Sequence, residues 1–167
     1  MLILGIDPAS GSTGYGVVES RGGRLRALSH GTIVPPRGLL FLDRLPHIAS
    51  AVETLVRKIA PDGAAVEDVF HARNSRVALQ LGHVRGAVLL PILRAGVPVY
   101  EYAPRLVKKA VTGSGAAEKE QVRRMVRLLL GLGDSPLPLD ASDALAVAIC
   151  HAHSIPFPGV REAAARA

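Results

Sequence analysis

The chain has 167 residues, 49% of them hydrophobic and 20% charged, a size and composition that suit one domain with a single buried core. Twenty Lys and Arg against fourteen Asp and Glu give a formal net charge of +6 and a pI near 10.1, which favours a polyanionic partner. No apolar tract reaches the roughly 18 residues of a membrane span and no basic segment precedes the first apolar run as in a secretory signal, while the one cysteine, Cys150, excludes an internal disulfide and a Cys-based metal site, so a cytoplasmic protein with no membrane partner is expected.

Met1-Leu2-Ile3-Leu4-Gly5-Ile6-Asp7-Pro8 reads as a strand buried on both faces, stopped by Pro8 and the Gly/Ser/Thr cluster after it. Asp7 ends this strand, where rigid backbone holds its carboxylate while the side chain reaches outward. Asp-Pro pairs commonly open an Asx turn, so Asp7 gains meaning only from acids elsewhere in matching positions. Residues 14 to 19 and 25 to 33 read as two further strands around Arg21-Gly22-Gly23, giving an antiparallel meander. The glycines at 5, 11, 14 and 16 are followed by a strand and by no Gly-Lys-Ser/Thr, which rejects a nucleotide loop.

Beyond Pro35, Pro36 and Gly38, apolar residues at helical spacing predict an amphipathic helix over about 39 to 60, bent near its start by Pro46. The short buried strand Ala64-Ala65-Val66-Glu67 also ends in a carboxylate. A helix from Ser75 to Ala95 follows, containing Gly82, Gly86 and a bending Pro91. Its Val84, Val88, Leu89, Leu90, Ile92 and Leu93 do not share one face, so it is either buried all round or contacts a second copy of the chain, and a dimer through it is expected. Pro98 to Tyr102 is the last strand. Helices are expected over 104 to 111, 116 to 130 and from Asp140 to the histidines, where His151 and His153 are read as last-turn partners of the helix dipole. The first 153 residues form one domain, and the tail from 154 to 167, with little to bury, is expected to be partly mobile. With right-handed crossovers this order yields an α/β fold, a central five-stranded mixed sheet flanked by helices, in which Asp7 and Glu67 end adjacent parallel strands.

Asp140 and Asp143, at i and i+3, share one helix face about 5 to 6 Å apart at Cβ. An acid at the N-cap and another three residues on also suits helix capping, and both uses are compatible. Four acids at the ends of buried elements repel one another, and divalent cations held by oxygen ligands are the usual compensation. Two Mg²⁺ ions, or Mn²⁺ in their place, are the arrangement that cleaves phosphodiesters. Between Arg105 and Arg127 lie seven bases, Arg105, Lys108, Lys109, Lys119, Arg123, Arg124 and Arg127, opposed only by Glu118 and Glu120. Acid cluster and basic region together point to a nuclease.

Ile3-Leu4-Gly5-Ile6-Asp7-Pro8 with Thr13-Gly14-Tyr15-Gly16, Val66-Glu67-Asp68-Val69-Phe70, Glu101-Tyr102-Ala103, the run from Gly115 to Val122, and Asp140-Ala141-Ser142-Asp143-Ala144-Leu145-Ala146 together resemble RuvC, the bacterial crossover junction endodeoxyribonuclease family, from residue 2 to about 153. The resemblance implies a ribonuclease-H-like fold, a homodimer, and Mg²⁺-dependent cutting of four-way DNA (Holliday) junctions in recombination and repair, alongside RuvA and RuvB. By motif, Asp7, Glu67, Asp140 and Asp143 match that family's four catalytic acids, Lys108 and Lys119 match bases needed for cleavage, and Phe70 matches an aromatic that stacks on a base near the crossover. Lys119 is suited to meet the scissile phosphate or orient water. Arg73, Arg76, Arg105, Lys108, Lys109, Arg123, Arg124 and Arg127 are read as DNA contacts. A non-catalytic junction-binding module is disfavoured by the presence of all four acids. An ATPase of the actin and sugar-kinase type, whose opening turn resembles Gly5 to Ala9, is disfavoured because that fold needs two such domains.

Overall fold

The computed structural model describes residues 1 to 68 and 74 to 155. Three strands come first, β1 (Leu2–Asp7), β2 (Thr13–Arg21) and β3 (Arg24–Ile33), followed by α1 (Phe41–Ile59), β4 (Gly63–Glu67), α2 (Ser75–Arg94), β5 (Val99–Tyr102), α3 (Pro104–Thr112), α4 (Lys119–Leu130) and α5 (Leu139–Ser154). The five strands form one sheet in the order β3-β2-β1-β4-β5. β1, β2 and β3 make the expected antiparallel meander, and β4 and β5 add in parallel to β1. Gly22 and Gly23 sit at φ 58° and 77° between the paired Arg21 and Arg24, the left-handed two-residue turn that matches the twist of a hairpin.

Strand alternation divides the core in two. Leu4, Ile6, Val17 and Ala64 meet Ile48, Val52 and Val56 of α1 and Val84, Val88 and Ile92 of α2 on one face. Ile3, Val18 and Ala65 meet α5 on the other, with α3 and α4 packed outside it. Enclosed in this way, α5 is buried from Ala144 to His151 without a break, which its alanine-rich sequence permits. It lies directly on the sheet. A Cβ on Gly5 would stand 2.1 Å from the Ala144 carbonyl oxygen, and one on Gly14 1.9 Å from that of Asp140, so glycine is required at both crossings.

Some expected boundaries move. α4 begins at Lys119 rather than at Ala116, because the Ala117 N–H turns back to the Ser114 carbonyl (3.3 Å) and the Ala116 N–H to the Ser114 hydroxyl (3.3 Å). α5 is entered through Pro138, so Asp140 is not its N-cap, and neither Asp140 nor Asp143 caps it. His151 is no dipole partner: it is buried, its Nδ1 lies 2.6 Å from the Tyr102 hydroxyl, and burial pushes its pKa down to about 4, leaving it neutral. The expected tail lies outside the described residues from 156 onward.

α2 is capped by the Asn74 side chain, which accepts from the Val77 N–H at 2.9 Å. By length and composition alone it would pass for a membrane span. Its inward stripe is instead spent on the core, and it is not buried all round: Leu79, Leu90 and Leu93 are each more than half exposed.

Candidate active site

Asp7 and Glu67 occupy the last positions of β1 and β4. By period two, Asp7 follows Ile3 and Glu67 follows Ala65 onto the face covered by α5. Asp7 pairs with Gly14 in the β1–β2 ladder, and Gly14 is the residue pressed against the backbone of Asp140. A glycine contact therefore seats the first turn of α5, with Asp140 and Asp143, beside the end of β1. The loop between Asp7 and β2 is closed by Thr13, whose buried hydroxyl donates to the Ala9 carbonyl (2.7 Å) and accepts from the Ala9 N–H (3.3 Å). Among the described residues the Asp7 carboxylate accepts no hydrogen bond, so the Asx turn does not form.

The acids feel one another. Burial, then the charges of Asp143, Glu67 and Asp140, raise the pKa of Asp7 to about 7, with Lys119 opposing. Glu67 is raised by burial and by Asp143, opposed by Lys119 and Lys108. Lys119, the first residue of α4, holds its Nζ 3.3 Å from Asp143 Oδ2, and this charge is the main cause of the upward shift of its own pKa. A lysine at a helix start works against the dipole, and Asp143 supplies the compensation. Among the described residues no three His, Cys, Asp or Glu side chains converge on a single point as a closed ligand set. The donor set still fits hard divalent cations, because every candidate ligand is a carboxylate and the crowding of like charge is what a cation relieves.

Between α3 and the loop before α4 lies an open cleft of about 610 Å³, lined by Arg105, Lys108, Ser114 and Gly115 among others. It continues in sequence to Lys119, so bases border the acids. Lys109 and Arg124 are exposed on α3 and α4, and Arg76 is exposed in the first turn of α2. Arg123 and Arg127 are half-buried: Arg123 Nη1 lies 3.6 Å from Glu120, and Arg127 donates to the Gly133 carbonyl at 2.5 Å. These two are partly committed to holding α4 and the loop behind it. Phe70 and Arg73 lie outside the described residues.

Two residues near the site have roles that the motifs do not convey. Gly14 belongs to the Thr13-Gly14-Tyr15-Gly16 motif, but nothing in that motif shows that an invading helix needs glycine there. Arg85 of α2 donates from Nη1 to the Glu67 carbonyl at 2.6 Å and from Nη2 to Glu101. Its one sequence signal is isolation, as the only charged residue between Leu81 and Leu93.

In the metal-free protein Asp7 makes stability fall as pH rises. Its folded pKa of about 7 lies above the unattached value of 3.8, so its contribution is whole below pH 4 and is lost as pH climbs through 7. His151, shifted down from 6.5 to about 4, acts oppositely over most of this window. The measurement is therefore a difference: thermal melts of the metal-free wild type and Asp7→Asn should diverge between pH 4 and 7, with the variant relatively more stable at the higher pH. Mg²⁺ at about a hundred times its dissociation constant should then stabilise the wild type by about 2.7 kcal/mol.

A five-stranded mixed sheet flanked by helices, with acids at the carboxyl ends of two adjacent parallel strands that face the start of a buried helix, is a ribonuclease-H-like fold. Residues 3–151 match the family described as crossover junction endodeoxyribonuclease RuvC. The crossover junction endodeoxyribonuclease RuvC of Syntrophomonas wolfei is 47% identical over 165 residues, 99% of this chain and 96% of that one. The protein of the same name from Maricaulis maris is 51% identical over 151 residues, 90% of each. Thermus thermophilus RuvC in complex with a Holliday junction substrate superposes with a TM-score of 0.85 at 38% identity, covering 91% of this chain and 93% of that one. The chain belongs to the RuvC family of endonucleases.

Proposed function

We propose that this protein resolves four-way DNA junctions in recombination and repair, hydrolysing one phosphodiester per subunit in two matched strands. The observation that carries this is the gathering of acids at one end of the sheet, where burial and neighbouring carboxylates raise the pKa values of Asp7 and Glu67, with Lys119 held against Asp143. The four carboxylates hold two Mg²⁺ ions, or Mn²⁺ in their place. When bound, these cations supply activation of water for attack and offset charge on the scissile phosphate. The chain's own groups do the rest. Lys119, largely exposed, donates to a phosphate oxygen while Asp143 fixes its position. Lys108 and Arg105 hold the backbone in the adjoining cleft, and Phe70 stacks on an unpaired base at the crossover. The decisive assay is cleavage of a synthetic four-way junction with and without Mg²⁺: paired incisions that require the metal support the reading, and binding without incision in any divalent metal sinks it.

Bases around the cleft set the salt dependence. With about five phosphates neutralised, affinity should fall with salt at a log-log slope of roughly −4 to −5. Replacing Arg105, Lys109 and Arg124 by Ala should reduce that slope by about 2 to 3 units, read by fluorescence titration at several salt concentrations.

Two matched cuts call for two sites, and the exposed leucines of α2 suit the seam of a C₂ pair. Leu90→Glu should give monomers in sedimentation that nick junctions without resolving them. The dimer works in the cytoplasm alongside RuvA and RuvB.

A further inference from the structure

Arg85 lies on the opposite side of the sheet from the four acids, yet its guanidinium reaches the end of the strand that carries one of them. Its side chain is 15% exposed, an unusual burial for the one charged group in this stretch of α2. The cause lies in the backbone. The Ala64 N–H donates to Pro98 and the Asp68 N–H to Tyr102, so even-numbered residues of β4 direct their amides toward β5. Odd-numbered residues, Glu67 included, direct theirs toward β1, where Ile6 is opposite Val66. In a parallel ladder the Glu67 carbonyl is due an N–H from the residue after Asp7. That residue is Pro8, which has none. Arg85 Nη1 supplies the missing donor at 2.6 Å, and its Nη2 is anchored on Glu101 of β5, which pairs with Val66.

We infer that Arg85 is a positioning residue for the Glu67 carboxylate: by holding the Glu67 carbonyl where the β1 ladder ends, it sets the direction in which the side chain leaves toward Asp7 and Asp143. The Asp68 N–H bond to Tyr102 holds the following peptide, so the strand end is fixed from both sides. Groups that orient metal ligands from behind commonly alter metal affinity by about 10- to 100-fold when removed. The inference rests on the reading of Glu67 as a ligand.

The test uses the full chain with Mn²⁺ as probe, titrated by calorimetry without DNA, together with the Mn²⁺ dependence of junction cleavage. Arg85→Ala should weaken Mn²⁺ binding about 10-fold or more and lower kcat, with the junction dissociation constant unchanged. Arg85→Lys, able to make one of the two bonds, should recover part of the loss. Glu101→Gln, which leaves the bond to the Glu67 carbonyl in place, should shift the titration less than Arg85→Ala. If Arg85→Ala does not fold, Arg85→Lys carries the test, with a several-fold weaker Mn²⁺ titration expected. A folded Arg85 variant with a lower melting temperature but a wild-type Mn²⁺ titration overturns the inference, since a merely structural contact predicts that pattern. Glu67→Gln separates the two levels: a wild-type titration in that variant removes the ligand reading itself, whereas loss there with no change in the Arg85 variants removes only the positioning role.

Discussion

Changing any one of Asp7, Glu67, Asp140 and Asp143 to its amide is expected to abolish junction cleavage, by three orders of magnitude or more, while junction binding stays intact or tightens. Each amide keeps the shape of the side chain but removes a negatively charged oxygen donor. Stabilisation of developing charge by a bound metal amounts to several kcal/mol, and about 4 kcal/mol is a thousandfold in rate. Removing a negative charge also lessens repulsion of the DNA backbone. Single-turnover cleavage and equilibrium binding on the same synthetic junction separate the two effects. A variant that cleaves near the wild-type rate would remove its residue from the site.

Gly14→Ala is expected to act on the same chemistry without touching a charge. The added Cβ would lie 1.9 Å from the Asp140 carbonyl oxygen and 2.3 Å from its carbon, both backbone atoms with no rotamer by which to yield. α5 must then shift away from β2, carrying Asp140 and Asp143 with it. Overpacking of this kind costs about 1 to 3 kcal/mol of stability, and misplacing reacting groups by about 1 Å can cost a hundredfold in rate. The expected result is a lower melting temperature, cleavage reduced about a hundredfold and a raised Mg²⁺ requirement, with the salt slope of binding unchanged. Gly11→Ala is the control, since a Cβ there meets nothing within 4 Å. Equal cleavage by the two variants would show that the crossing of α5 over β2 tolerates a methyl group.

Much of this was legible from one dimension. An apolar run stopped by Asp7-Pro8 announced β1, helical spacing announced α1, and a second carboxylate at the end of a short buried run placed Glu67. Local signals failed where a longer-range contact decided. Ala116 and Ala117 have high helix propensity, yet Ser114 captures their amides and delays α4. Asp140 has the chemistry of an N-cap, but Pro138 enters the helix first. His151 sits where a charged last-turn partner would, and burial against Tyr100 and Tyr102 keeps it neutral. Arg85 offered only its isolation among apolar residues, because its meaning depends on a missing amide at Pro8, just past the end of β1 and 77 positions earlier.

The seating of α5 on β1 and β2 also bears on when the protein becomes active during its own synthesis. Asp7 and Glu67 leave the ribosome early, in a segment able to begin building its sheet. Asp140 and Asp143 arrive on the last described helix, which must then slide onto the first two strands through their glycines. Contacts spanning so much of the chain form late in folding, after the local hairpin of β2 and β3. A nascent or truncated chain thus holds two acids of the four and no helix to bring the others. The four-acid arrangement is complete only once α5 has docked on β1 and β2.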